Sequence, residues 1–157
     1  MKTSKVKEFL DKTDIPYKKI SHPLAFTAQE VAATAHIKGR EFAKTVMIKI
    51  NGRLAMTVLP ASHVVDFEKL KRALNTQDIK LATETEFKIK FPDCELGAMP
   101  PFGNLYDMDV YVCCDLLDNE EIAFNAGSHT DVIEMTIEEF RRIVGPIELD
   151  FTKKHKV

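Results

Sequence analysis

The dipeptide Asn51-Gly52 lies between two apolar runs, Thr45-Val46-Met47-Ile48-Lys49-Ile50 and Arg53-Leu54-Ala55-Met56-Thr57-Val58-Leu59. A two-residue hairpin turn of the favoured type needs positive φ at both central positions, and asparagine followed by glycine tolerates this best. Two residues thereby set the register of two long strands, and the fold must be built around this antiparallel pair. At 157 residues the chain has the length of one domain with a core of its own, so a single domain spanning residues 1–157 is expected.

Helix signals surround the hairpin. Ser4 is placed to cap a helix running to about Lys12, with Val6, Phe9 and Leu10 on its apolar side. Pro16 closes that region and Tyr17 to Ile20 reads as a short strand. Thr27-Ala28-Gln29-Glu30, Thr83-Glu84-Thr85-Glu86 and Thr136-Ile137-Glu138-Glu139 each have the form of a capping box. The first opens a helix through Val31, Ala32, Ala35 and His36, with Gly39 as its stop. The second opens a short helix to about Phe91, and the third a helix through Phe140 and Val144 that Gly145 ends. Asp66 caps a helix carrying Phe67, Leu70 and Leu74. Ile79-Lys80-Leu81 reads as a brief strand, Asp109 to Leu117 as a longer one, and the basic tail from Thr152 to Val157 is expected to fray. Helices interleave with hairpins rather than alternating strictly with single strands. That order predicts an α+β fold with a mixed or antiparallel sheet.

A formal net charge of −2 gives no global basic field. A protein that coats long duplexes is therefore not expected, whereas recognition of a small charged group or of one nucleic-acid end remains open. No apolar core follows Met1-Lys2-Thr3-Ser4-Lys5, and no apolar run approaches the ~20 residues of a membrane span. Cys94, Cys113 and Cys114 form no Cys-x-x-Cys and read as reduced thiols of a cytoplasmic protein. The chain has no G-x-S-x-G, no Walker A loop and no G-x-G-x-x-G. His22, His36, His63, His129 and His155 show no metal-ligand spacing, so neither metal nor cofactor is expected. His22, before a proline, reads as structural.

Three stretches remain. Ile122-Ala123-Phe124 and Val132-Ile133-Glu134-Met135 read as strands. The seven residues Asn125 to Asp131 between them are too many for a tight turn and bring together a glycine, a hydroxyl and an imidazole. Gly97-Ala98-Met99-Pro100-Pro101-Phe102-Gly103 is stiffened by two prolines, which fix φ and remove donors. Lys44 stands at the entrance of the first hairpin strand. These residue types describe a pocket with one cation and many backbone donors. They equally describe a surface loop, a rigid connection and a solvated lysine.

In order and spacing, Phe42-Ala43-Lys44-Thr45, Gly97 to Gly103, and Phe124-Asn125-Ala126-Gly127-Ser128-His129 resemble the YbaK/ProRS-associated domain family. The resemblance covers about Val6 to Val144. It implies a curved mixed β-sheet enclosed by helices, and a free-standing aminoacyl-tRNA deacylase that edits in trans. The catalytic set it implies is Lys44, Gly97, Gly127 and His129. Lys44 would engage the phosphate of the tRNA 3′ end, Gly97 and Gly127 would form the backbone corners, and His129 would hydrogen-bond substrate or water. Thr45, Ala98, Met99, Pro100, Pro101, Phe102, Asn125 and Ser128 would bind substrate. Hydrolysis would be assisted by the substrate's own ribose hydroxyl, with no cofactor. The implied partners are the acceptor end of a mischarged aminoacyl-tRNA and an aminoacyl-tRNA synthetase, with no membrane. A non-catalytic module that binds a tRNA end or a synthetase, and a hydrolase of small esters or thioesters, are the alternatives. Thr45 stands where alanine-specific members tend to carry Asn, and Ser128-His129 where the cysteine-specific group tends to carry basic residues. The amino acid removed is therefore not implied.

Overall fold

In the computed structural model, which describes residues 5–154, the hairpin forms as the sequence dictates. β2 (Ala43–Ile50) and β3 (Arg53–Pro60) pair antiparallel along their whole length. Asn51 and Gly52 take φ values of 49° and 83°, which is the twist a two-residue turn requires.

The chain before the hairpin supplies α1 (Lys5–Lys12), β1 (Lys18–Ser21) and α2 (Ala28–Thr34). After it come β4 (His63–Val65), α3 (Phe67–Leu74), β5 (Ile79–Leu81), α4 (Glu84–Phe87) and β6 (Val110–Cys113). The chain then forms β7 (Glu121–Asn125), β8 (Asp131–Thr136), α5 (Ile137–Val144), β9 (Ile147–Leu149) and β10 (Thr152–Lys154). The hairpin is the centre of a five-stranded sheet of order β5-β2-β3-β6-β9, in which β6 runs parallel to both β3 and β9. A separate antiparallel sheet has the order β1-β8-β7, and β10 pairs with β4. A bridge between Phe42 and Ala123 ties the start of β2 to β7. The α+β class with a mixed sheet is therefore the observed one.

The pairing in the hairpin defines two faces. Directly opposed residues share a face. Thr45 lies opposite Val58 and Met47 opposite Met56, on the side of the larger core; Lys44 lies opposite Leu59 and Ile48 opposite Ala55, on the other. The larger core gathers Phe102, Phe124 and Phe140, all fully buried, with ring centroids 5.4 and 5.8 Å from that of Phe102. Each contributes about 1.5–3 kcal/mol by burial alone. The second core holds Leu59, Leu70, Cys113 and Phe151, and a smaller third one holds Val31, Ala32, Phe42 and Val132.

Several expected boundaries shift, each for a local reason. α2 ends at Thr34, five residues before Gly39. His36 takes the left-handed conformation at φ 59°, its N–H bonds Ala33 O, and Ile37 N–H bonds Ala32 O. These are the paired bonds of a Schellman cap with histidine where glycine is usual. The strand expected from Asp109 to Leu117 is only Val110–Cys113, because Cys114–Asp118 coil into a 3-10 turn. Thr83 and Glu86 form a complete capping box. At Thr136 only one arm forms, since the Glu139 carboxylate bonds Arg142 instead. Thr152 to Lys154 do not fray but pair with β4. Ser4 and the rest of the tail lie outside the described residues. Among the described residues no helix is long and apolar enough to cross a membrane.

Candidate functional site

Two loops meet at the ends of β7 and β8. Gly97 and Gly127 both take positive φ, 87° and 97°, so each corner turns where a side chain would be strained. The loops are hydrogen-bonded to one another: Glu95 N–H donates to Gly127 O at 2.8 Å and Gly127 N–H to Ala98 O at 3.0 Å. Ser128 holds its own turn, its hydroxyl donating to Asp131 Oδ2 at 2.9 Å and accepting from Asp131 N–H. The His129 ring lies against Gly97, where an added Cβ would come 3.4 Å from Cε1. Its Nε2 donates to Leu96 O at 2.7 Å, so Nε2 carries the proton and, in the neutral ring, Nδ1 is a bare acceptor. The ring also packs against Phe26, centroid to centroid 5.0 Å.

Beside these corners opens a cleft of about 370 Å³ lined by Lys7, Asp93, Glu95, Ala126, Gly127, Ser128 and Asp131. Its carboxylates are already held. Asp93 accepts from the Tyr106 hydroxyl at 2.8 Å, Glu95 from His129 N–H at 3.2 Å, and Asp131 lies 3.9 Å from Lys7 Nζ. Burial lowers the Lys7 pKa, against the raising effect of Asp131, and burial first, then Cys94 and Asp93, drives the Tyr106 hydroxyl well above its ordinary value. With three carboxylates against one ammonium, the cleft favours a cationic group over an anionic one.

Lys44 and Thr45 stand together at the start of β2 but point to opposite faces. Thr45 shares the face of Met47, Met99 and Phe102, whereas Lys44 turns toward the second core and is near enough to His63 to depress that ring's pKa. Burial lowers the pKa of Lys44 itself, and among the described residues its ammonium forms no ion pair. β5 pairs with β2 only from Ile48 onward, and Ala82 N–H takes Met47 O. Between there and the Phe42 bridge, the β2 edge carries no ladder partner among the described residues.

Four side-chain polar atoms among the described residues are buried without a protein hydrogen-bond partner: Thr45 Oγ1, Asn125 Oδ1, His129 Nδ1 and His22 Nε2. Three belong to residues singled out from the sequence, and the fourth is on a segment whose backbone N–H bonds Thr130 O. Each such atom costs about 1–3 kcal/mol unless water or a ligand partners it. The other expected residues divide. Gly97 is exposed at the rim, and Ala98, Met99, Pro100 and Pro101 are buried behind it. Phe102 is fully buried against Phe9, Phe124 and Phe140. It packs within the larger core. Sequence reading missed Lys7, Asp93, Glu95 and Asp131 as lining residues. They come from α1, from the chain before Gly97 and from β8, with no short spacing to join them.

His63, Cys113 and Asp115 place one potential ligand atom each within 4.8 Å of one another. Thr152 Oγ1 lies between two of them, 2.8 Å from His63 Nδ1 and 3.2 Å from Cys113 Sγ. Burial raises the Cys113 thiol, and the His63 pKa is lowered first by burial and further by Lys154, Lys44 and Lys69. Those three ammonium groups oppose a dication. All three cysteines are free.

Residues 22–143 match the aminoacyl-tRNA editing domain. The chain belongs to the aminoacyl-tRNA editing domain family. Both the positive-φ corners and Lys44 fall inside the matched segment. Curated relatives include a proline–tRNA ligase of Staphylococcus epidermidis, 28% identical over 113 residues, covering 72% of this chain and 19% of the relative. Another is the proline–tRNA ligase of Bacillus cereus (strain G9842), 24% identical over 100 residues, covering 64% and 18%. The chain thus spans less than a fifth of the length of the curated relatives it matches. Among solved structures, a candidate trans-editing enzyme for prolyl-tRNA synthetase aligns with TM-score 0.82 at 19% identity, covering 94% of both chains. A hypothetical protein aligns with TM-score 0.83 at 18% identity, covering 94% of this chain and 99% of its own. Both share the editing-domain fold described here.

Proposed function

We propose that this protein hydrolyses the ester joining a wrong amino acid to the 3′ end of a tRNA, acting as a trans-editing deacylase. The observation that carries the reading is the group of unpartnered polar atoms on Thr45, Asn125 and His129, in a chain of the editing-domain family. The acyl group enters between the Gly97 and Gly127 corners, its α-ammonium facing the carboxylates of the cleft. Donors for the developing oxyanion come from loop N–H groups such as those of Gly97 and Met99, because those of Ala98 and Gly127 are already used within the loops. One such donor is typically worth ~10²–10³ in rate. His129, with Nε2 occupied, offers Nδ1 as an acceptor for substrate or water. The ribose hydroxyl next to the ester activates the attacking water. Lys44, a compact cation on a flexible stem, takes the terminal phosphate on the far side of β2.

The partner is the acceptor end of a mischarged aminoacyl-tRNA, delivered free or from an aminoacyl-tRNA synthetase. A panel of mischarged tRNAs tests the reading, with wild-type protein and Lys44→Ala compared at equal folded concentration. At least one ester should be cleaved by the wild type, and the variant should be slowed ~10²-fold or more, as expected for lost positioning. Removing the ribose hydroxyl from the substrate should abolish turnover. Saturable tRNA binding with no product across the panel would instead identify a non-catalytic binding module. Turnover of small esters without RNA would identify a general esterase.

A further inference from the structure

Phe26 is a large apolar side chain left 62% exposed. It occupies the position just before the α2 N-cap Thr27, where an apolar residue normally packs on the residue four into the helix, here Val31. Val31 is fully buried in the third core, whereas Phe26 leaves most of its surface in solvent. Its ring instead leans on His129, at 5.0 Å and an interplanar angle of 59°. The segment that carries it is pinned beside the site. His22 N–H donates to Thr130 O at 2.9 Å, Ala25 N–H to His129 O at 3.4 Å, and Ala25 is buried. The His129 ring therefore has both Gly97 and the exposed Phe26 ring as neighbours. Leu24 and Leu96, also exposed, belong to the same two segments. Phe26 thus presents an exposed aromatic face beside His129, the neighbour of the cleft residue Ser128.

We infer that Phe26 is a stacking platform for the unpaired terminal nucleobase of the RNA whose acyl group enters the cleft. This rests on the proposed function. A tRNA 3′ end is single-stranded, so its last base is free to stack, and stacking on an aromatic ring tolerates any base because each has a π-face. A base held on Phe26 is one ring away from His129 and Gly97, which brings the attached ribose to the corners. The ring is rigidly backed, so little side-chain freedom is lost on binding.

The test uses the full chain and a fluorescent RNA hairpin with a short single-stranded 3′ end, intact or lacking only its terminal base. By anisotropy, Phe26→Ala should weaken binding of the intact RNA about 5- to 150-fold, while Phe26→Tyr stays close to wild type. On the abasic RNA, wild type and Phe26→Ala should bind equally weakly. Phe26 is exposed, so its truncation leaves no buried cavity, and thermal melts of the variants check the fold. Equal binding of the intact RNA by wild type and Phe26→Ala, equal losses on both RNAs, or no wild-type binding each overturns the platform. Coupling of Phe26 to the base without hydrolysis of any mischarged tRNA leaves the platform standing and removes the deacylase reading. Hydrolysis with an unchanged KM in Phe26→Ala does the reverse.

Discussion

At Lys44 the fold keeps an ammonium partly buried where no carboxylate among the described residues meets it, and burial lowers its pKa. The sign of the resulting stability term is fixed. A lysine whose folded pKa lies below its unfolded value destabilises the fold wherever it is charged. The penalty is full below the folded pKa and fades as pH rises toward the unfolded value of 10.5. Lys44→Met, which keeps the stem and removes the charge, should therefore raise stability at pH 7, seen as a higher Tm. The gain should shrink at pH 10, and hydrolysis of mischarged tRNA should be lost. A fall in Tm at pH 7 would show that the ammonium has a stabilising partner, and would remove the argument that it is kept for an anionic ligand. Stability given up at a functional position is a common trade. Thr45 Oγ1, Asn125 Oδ1 and His129 Nδ1 fit the same pattern one residue at a time.

At the scale of elements, what was legible in the sequence was whatever a few adjacent residues decide. The turn at Asn51-Gly52 is the clearest case. An added Cβ at Gly52 would meet nothing within 4 Å, but φ is +83°. Gly52→Ala should therefore cost about 1–2 kcal/mol from backbone strain alone, seen as a lower denaturant midpoint with an unchanged slope. The capping box of α4 is equally local. The Glu86 carboxyl is held at about 2, first by its bond to Lys49, then by the Thr83 backbone and hydroxyl. A depressed carboxylate contributes stability that is present above its ordinary 4.5 and lost as pH falls toward about 2. Glu86→Gln should lack that part of the acid-induced loss between those two values, and added salt should narrow the difference from wild type, because the pair is on the surface. Melts at pH 6 and pH 3 in low and high salt read this out. Elements set by distant partners were not legible. β4, β9 and β10 are three residues each and went unread as strands. Thr152 to Lys154 became a strand only because Val65, Val64 and His63 lie across from them. The site divides in the same way. Its two loops were legible because each is one contiguous run. The cleft's carboxylates and the Phe26 ring were not, because folding gathers them from separate segments.

For the whole molecule, the charge distribution matters more than the total of −2. The cleft has three carboxylates against one lysine, while Lys44 lies with Lys69 and Lys154 around His63. An aminoacyl-tRNA end has matching polarity, with an ammonium on the acyl group and a phosphate a few bonds away. On the proposed function, such a surface would grip a terminus and give a duplex little to hold. The salt dependence of binding measures this directly, since each phosphate neutralised on a single strand contributes about −0.7 to the slope of log K against log salt. Engagement of one to three phosphates predicts a slope between about −0.7 and −2 for a tRNA or a hairpin with a single-stranded 3′ end. Replacing Lys44 with Ala should flatten it by close to one phosphate's worth, whereas Phe26→Ala should lower affinity and leave the slope unchanged, because stacking releases no counterions. A slope steeper than about −4, or one insensitive to Lys44, would mean that the molecule holds RNA along a broad face, and the division of labour between the cleft and the lysine would then be wrong.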